Sequence, residues 1–143
     1  MRLLAGTASA LLRPPVNVLR LSLHPEGLAP RIANLQEWRT HLLARLRRQI
    51  EVSADPILVE LMNELRSYPA ASASGVGTPT THQDYAGVIV PLRLVTNGGI
   101  LSFFSTTAVF GTPIDITLSE LALESFFPAD AATVETLRSL AGA

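Results

Sequence analysis

The residues that could support chemistry are three histidines, one loose group of carboxylates, a run of hydroxyls and a cluster of arginines. His24, His41 and His82 have no metal-ligand spacing among themselves or with nearby acids, so no metal site is expected. His24 precedes a proline in a turn, His41 lies on a helix flank, and His82 falls in a loose loop. Ser105-Thr106-Thr107 supplies hydroxyls in a strand but no positioned base, so they read as sheet or pocket groups rather than nucleophiles. Asp115, Glu120, Glu124 and Asp130 form the acidic group. Glu120 and Glu124 on one strand face could exchange protons with a substrate, yet a solvated face or helix caps account for them more simply. No nucleophile elbow, phosphate loop or dinucleotide glycine fingerprint occurs. No catalytic residue and no cofactor is therefore assigned.

The cations divide in two. Arg45, Arg47 and Arg48 share a helix without interleaved aromatics, which suits a solvated face or a partner contact better than phosphate binding. Arg93 sits mid-strand among apolar neighbours and calls for a partner, either a ligand carboxylate or an internal acid such as Glu124.

Composition excludes further classes. The chain has 143 residues, enough for a single domain over 1–143 with a modest core. Hydrophobic residues are 48 % and charged residues 16 %, unlike a disordered chain. The absence of cysteine rules out disulfides and thiolate chemistry. All 11 basic residues are arginine, and the net charge of −1 does not suit a free-standing nucleic-acid binder. The first fifty residues hold eight arginines against Glu26 and Glu37, whereas the remainder holds three against ten acids. That asymmetry fits packing of one half on the other, association of two copies, or two unrelated solvated faces. No segment approaches the roughly 20 apolar residues that span a bilayer. The N-terminal stretch imitates a signal peptide only weakly, and a cytoplasmic protein without a membrane partner is expected.

The elements that must position these groups are legible as patterns. Residues 3–12 read as a short apolar helix before Pro14-Pro15; residues 16–24 fit a strand by alternation or a helix, and Asn17 as a cap favours the helix at 17–24. Leu35, Trp38, Leu42, Leu46 and Ile50 make one stripe of a helix over about 35–52, with Asn34 and Glu37 as a capping-box-like start. Asp55 and Pro56 open a second helix at 56–67, forming a helical hairpin, and Asp130 opens a third at 131–141. Residues 70–84, rich in Ala, Ser, Gly, Thr and Pro, read as a flexible loop.

Alternation predicts strands at 86–96 and 100–110, joined by a turn at Asn97-Gly98-Gly99. Residues 117–127 fit either a helix begun by a Thr117 and Glu120 capping box or, by alternation, a third strand at 119–127. A two- or four-residue turn puts Val90, Leu92 and Leu94 on one face with Leu101, Phe103 and Val109, and a three-residue turn would separate them. This face is expected to meet Trp38 and Leu42. Ser105 and Thr107 share it, and Arg93 points away. The fold class is α+β, a small antiparallel sheet packed with helices, compatible with an enclosed cavity.

Longer stretches resemble a known family. They are Pro15-Val16-Asn17-Val18-Leu19-Arg20-Leu21-Ser22-Leu23-His24-Pro25-Glu26-Gly27, Asn34-Leu35-Gln36-Glu37-Trp38, Val90-Pro91-Leu92-Arg93-Leu94, Leu101 through Thr107, Phe110-Gly111-Thr112-Pro113, and Glu124 through Asp130. Together they resemble the ligand-binding domain of the MmyB-like bacterial transcription regulators. The resemblance implies a partial PAS-like domain with the strand at 119–127, a sensor role and a fatty-acid-like small-molecule ligand. Its apolar wall would then comprise Trp38, Leu42, Val90, Leu92, Leu94 and Phe103, with Ser105 and Thr107 near the head group. Family members place a helix-turn-helix domain and the opening strands of the sheet ahead of the matched region. The chain is therefore expected to be truncated at its N-terminus, to reach DNA only through that missing domain, and to leave a sheet edge open to homodimer formation. An interaction or dimerisation remnant that binds no ligand is the alternative. A small hydrolase is disfavoured for want of a nucleophile–base pair.

Overall fold

Three capping side chains start helices where the sequence places them. Asn17 Oδ1 accepts the Arg20 amide at 3.0 Å to begin α1, Val18–Leu23. Asp55 Oδ1 accepts the Ile57 amide at 2.8 Å, with Pro56 in the first turn of α3, Pro56–Ser67. Asp130 Oδ1 accepts the Thr133 amide at 2.7 Å to begin α4, Ala131–Ala141. Between the first two lies α2, Leu35–Ser53. The computed structural model describes residues 8–69, 90–110 and 121–142, with 108–110 and 121–123 described by their backbone. The loop expected at 70–84, His82, Glu120 and the proposed strand residues 86–89 and 119–120 lie outside the described residues.

The start of α2 differs from the expected capping box. Asn34 makes no side-chain cap; its Nδ2 donates to Glu37 Oε2 at 3.0 Å and to the Pro91 carbonyl at 2.7 Å. Its Oδ1 accepts the Arg93 amide at 3.1 Å. The strand's unpaired backbone groups compete for the amide and win, because a part-buried peptide group must find a partner. Within the expected apolar helix at 3–12, residues Ser9–Leu12 instead form a short 3₁₀ turn; residues 1–7 lie outside the described residues.

The sheet is antiparallel in the order β1-β2-β3: Leu92–Thr96, Gly99–Phe110 and Leu121–Pro128. Thr96 pairs with Gly99 across a two-residue turn, at the end of which Gly99 takes a positive φ, +117°. Leu92 therefore faces Phe103 and Leu94 faces Leu101, on one side of the sheet. β1 is shorter than expected at its start. Val90 and Pro91 precede the ladder, and the Pro91 carbonyl is held by Asn34. The edge of β1 is not bare, since Ile32 bridges Leu94 and the Ala33 amide donates to the Arg93 carbonyl at 2.8 Å.

Trp38, Leu42 and Leu46 of α2, Leu61, Met62 and Leu65 of α3, Leu23 of α1 and Leu94 of β1 form one buried core. Arg39, off the apolar stripe, donates to the Leu65, Arg66 and Tyr68 carbonyls at 3.0 Å each and satisfies the end of α3. α4 lies beside the start of β2, where the fully buried Thr133 hydroxyl accepts the Ser102 amide at 2.9 Å. The fold is thus α+β, with four α-helices and an open three-stranded sheet among the described residues.

Candidate functional site

A cavity of about 570 Å³ opens between α1, α2, α3 and the inner face of the sheet. The 3.6-residue period of α2 directs Trp38, Leu42, Arg45, Leu46 and Gln49 to it from one face. Leu92, Phe103 and Phe126 come from the three strands in turn, brought to one side by the ladder registers. Leu19 and Leu21 of α1 and Leu58 and Leu61 of α3 close the far walls. Volume and lining suit a small organic ligand with a substantial apolar part.

Two polar features interrupt this wall. Arg45 Nη1 donates to Glu124 Oε1 at 2.7 Å, and Arg45 Nη2 donates to Thr107 Oγ1 at 2.8 Å. Both charged side chains are 30 % exposed, so the pair sits where the cavity meets solvent. The second is the Trp38 indole. The residue is 2 % exposed, and its Nε1–H has no acceptor among the described residues. His41 stacks on the same ring, with centroids 5.6 Å apart. Burial, followed by Arg45 and Arg48, lowers its imidazole below the usual value, so it is neutral at pH 7.

Of the residues singled out from the sequence, Trp38, Leu42, Leu92 and Phe103 line the cavity. Leu94 is buried in the core behind it, and Val90 packs against that core. Thr107 reaches the site through Arg45, while Ser105 is half-buried on the same face of β2 without lining the cavity. The side chain of Val109 lies outside the described residues.

The assignment of Glu124 to Arg93 is corrected. β2–β3 pairing sets Glu124 opposite Thr107 on the inner face, whereas Arg93 pairs with Ser102 on the outer face. Arg45, read as part of a solvated arginine face, is accordingly a cavity residue. Arg47 and Arg48 remain exposed, with Arg47 donating to Glu51 one turn on. The only local sign of Arg45's role was its position three residues after Leu42 and next to Leu46. Its partner lies 79 residues away, so spacing could not reveal the pair. Among the described residues no three His, Asp or Glu side chains come together as metal ligands.

An apolar cavity with a sparse polar rim fits the remaining observation, a match to a protein family over residues 1–140. The chain belongs to the MmyB-like transcription regulator ligand binding domain family. No curated protein and no solved structure matches it. As an MmyB-like ligand binding domain it is the sensing part of a transcription regulator, and membership implies a small-molecule ligand. Among the described residues no helix is long and apolar enough to cross a membrane.

Proposed function

We propose that the cavity is the sensor site of this domain and accommodates the hydrocarbon chain of a fatty-acid-like amphiphile, within a PAS-like arrangement of sheet and helices. The observation that carries this reading is the apolar cavity of about 570 Å³ between α2 and the sheet. Trp38, Leu42, Leu92 and Phe103 contact the chain, Val90 and Leu94 back them, and Ser105 and Thr107 lie toward the head group. Each buried methylene contributes roughly 0.8 kcal/mol, so a long chain offsets the cost of ordering it. No catalytic step is assigned. Operator contact is left to a separate helix-turn-helix domain, and the chain by itself is expected to show no site-specific binding to duplex DNA.

Displacement of a fluorescent fatty acid tests the reading. The parent chain is expected to bind the probe displaceably, and Phe103→Ala to weaken binding roughly tenfold through lost apolar contact. Ser105→Val reports on the head-group side. No displaceable binding by chain that is folded by circular dichroism would overturn the proposal.

A second reading, a self-associating module that binds no ligand, is favoured by the outer face of the sheet. Val95, Ile100 and Phe127 are 44 %, 52 % and 45 % exposed there, with Phe104 stacked on Phe127 at 5.4 Å. A stable dimer by light scattering together with failure to bind the probe would support it.

A further inference from the structure

Among the described residues the charged side chains that line the cavity are Arg45, from α2, and Glu124, from β3, paired at 2.7 Å. A guanidinium carries five donors in a flat fork that matches both oxygens of a carboxylate. Elsewhere in the chain the fork is used in full: Arg20 Nε and Nη2 together hold both oxygens of Glu64. Arg45 instead reaches one oxygen of Glu124 through Nη1, and its Nη2 donates to Thr107 Oγ1. Thr107 accepts in that bond and still has its O–H to donate. Ser105 lies two residues before it on the same face of β2. The rim therefore joins a cation held to its counter-charge by a single bond with a hydroxyl donor, which is the equipment for binding a carboxylate. Burial decides whether the counter-charge can be exchanged. Both side chains are 30 % exposed, so a released Glu124 regains water, whereas release from a fully buried pair would strand it.

We infer that Glu124 is an internal stand-in for the head group of an acidic amphiphile: the ligand carboxylate takes the Arg45 guanidinium in place of Glu124, with the Thr107 O–H donating to it, and Glu124 turns to solvent. The inference rests on the proposal that the cavity takes an acyl chain. One carboxylate replaces another on the same guanidinium, so Arg45 keeps a counter-charge and burial of the chain drives the exchange. The exchange also breaks a tie between α2 and β3. An uncharged head fills the cavity and leaves that tie in place.

Trp38 is the only tryptophan in the chain and lines the cavity, so its emission follows binding. The full chain is titrated with dodecanoate and with methyl dodecanoate below their aggregation limits, and each variant is checked for folding by circular dichroism. Glu124→Gln removes the competitor and is expected to tighten dodecanoate binding roughly fivefold. Arg45→Gln is expected to weaken it roughly tenfold, and neither variant should change binding of the ester. The double variant should bind dodecanoate as weakly as Arg45→Gln, which separates loss of the guanidinium from repulsion by an unpaired Glu124. In the 13C-labelled parent chain, dodecanoate should shift the Glu124 carboxylate resonance and the ester should not. Equal dodecanoate affinity in the parent and both single variants would overturn the inference and leave the acyl-chain reading standing. So would a Glu124 resonance unmoved by saturating dodecanoate. Failure of both compounds to bind would remove that reading and the inference with it.

Discussion

Gly27 has no room for a side chain: an added Cβ would lie 2.3 Å from the Leu21 carbonyl oxygen. That oxygen already accepts the Leu28 amide at 2.8 Å, so the turn cannot relax without losing the bond that folds it against α1. Gly27→Ala is expected to destabilise the chain by about 1–3 kcal/mol, measured by urea denaturation with an unchanged slope. Since Leu19, Leu21 and Leu28 line the cavity, the same variant should also bind probe less well. Asn34 shows how a residue's type can be informative while its use is not. An asparagine before a helical stripe signals a cap, and here the amide ties α2 to β1 instead. The choice depends on a strand almost sixty residues away.

At the scale of elements, the joint between α2 and α3 carries a measurable strain. Ala54 ends α2 with φ 52° and ψ 24°, its amide donating to the Ile50 carbonyl at 2.8 Å. A left-handed alanine costs roughly 1–2 kcal/mol that glycine avoids, against some added freedom of the unfolded chain. Ala54→Gly is therefore expected to stabilise by about 0.5–1 kcal/mol, read as a higher thermal midpoint. The sheet follows the same logic of local signals set in a tertiary frame. The two-residue turn at Asn97-Gly98 decides which face Leu92, Leu94, Leu101 and Phe103 share. Where β3 stops pairing with β2, Thr133 of α4 takes over the Ser102 amide.

Across the whole molecule, a polar network ties α1 to α3. Arg20 Nε and Nη2 both donate to Glu64, which also accepts from the Tyr68 hydroxyl. Hydrogen bonds from Arg20 and then Tyr68 hold the Glu64 carboxyl below its usual range. The Asp130 carboxyl is likewise held low by Thr133, through its hydroxyl and amide. A depressed folded value means that the stabilisation is complete above the ordinary carboxylate range and is lost as pH falls through the folded value. The Arg20 and Glu64 side chains are 44 % and 37 % exposed, so screening limits this pair to about 1 kcal/mol or less. Tyr68 has the opposite sign. Burial, followed by the Glu64 hydrogen bond, pushes its hydroxyl up to about 12 from 10.0. Its contribution is complete below pH 10 and is lost as pH rises through about 12. Denaturation midpoints are expected to fall at both ends. Tyr68→Phe should abolish the Tyr68 share of the alkaline fall, and a fall of unchanged size would show that Tyr68 does not cause it.

Local pattern was sufficient for α2, α3, α4 and the β1–β2 hairpin, whereas it left 16–24 and 117–127 open between helix and strand. The stripe from Leu35 to Ile50, the Asp55-Pro56 and Asp130 starts and the alternation through Leu94 and Leu101–Phe103 each express a constraint that acts over a few residues. Capping and side-chain periodicity need no distant partner, so they are legible in order along the chain. The polar rim of the cavity was not. Arg45 and Glu124 belong to different elements, and whether either is a surface charge or a cavity wall depends on the β2–β3 register and on how α2 crosses the sheet. That the Trp38 N–H has no acceptor among the described residues is equally invisible in sequence, because a tryptophan on a helical stripe announces burial but not whether its N–H finds a partner. Burial of an apolar stripe follows from composition and period, whereas the partner of a polar group is set only when separate elements meet in space.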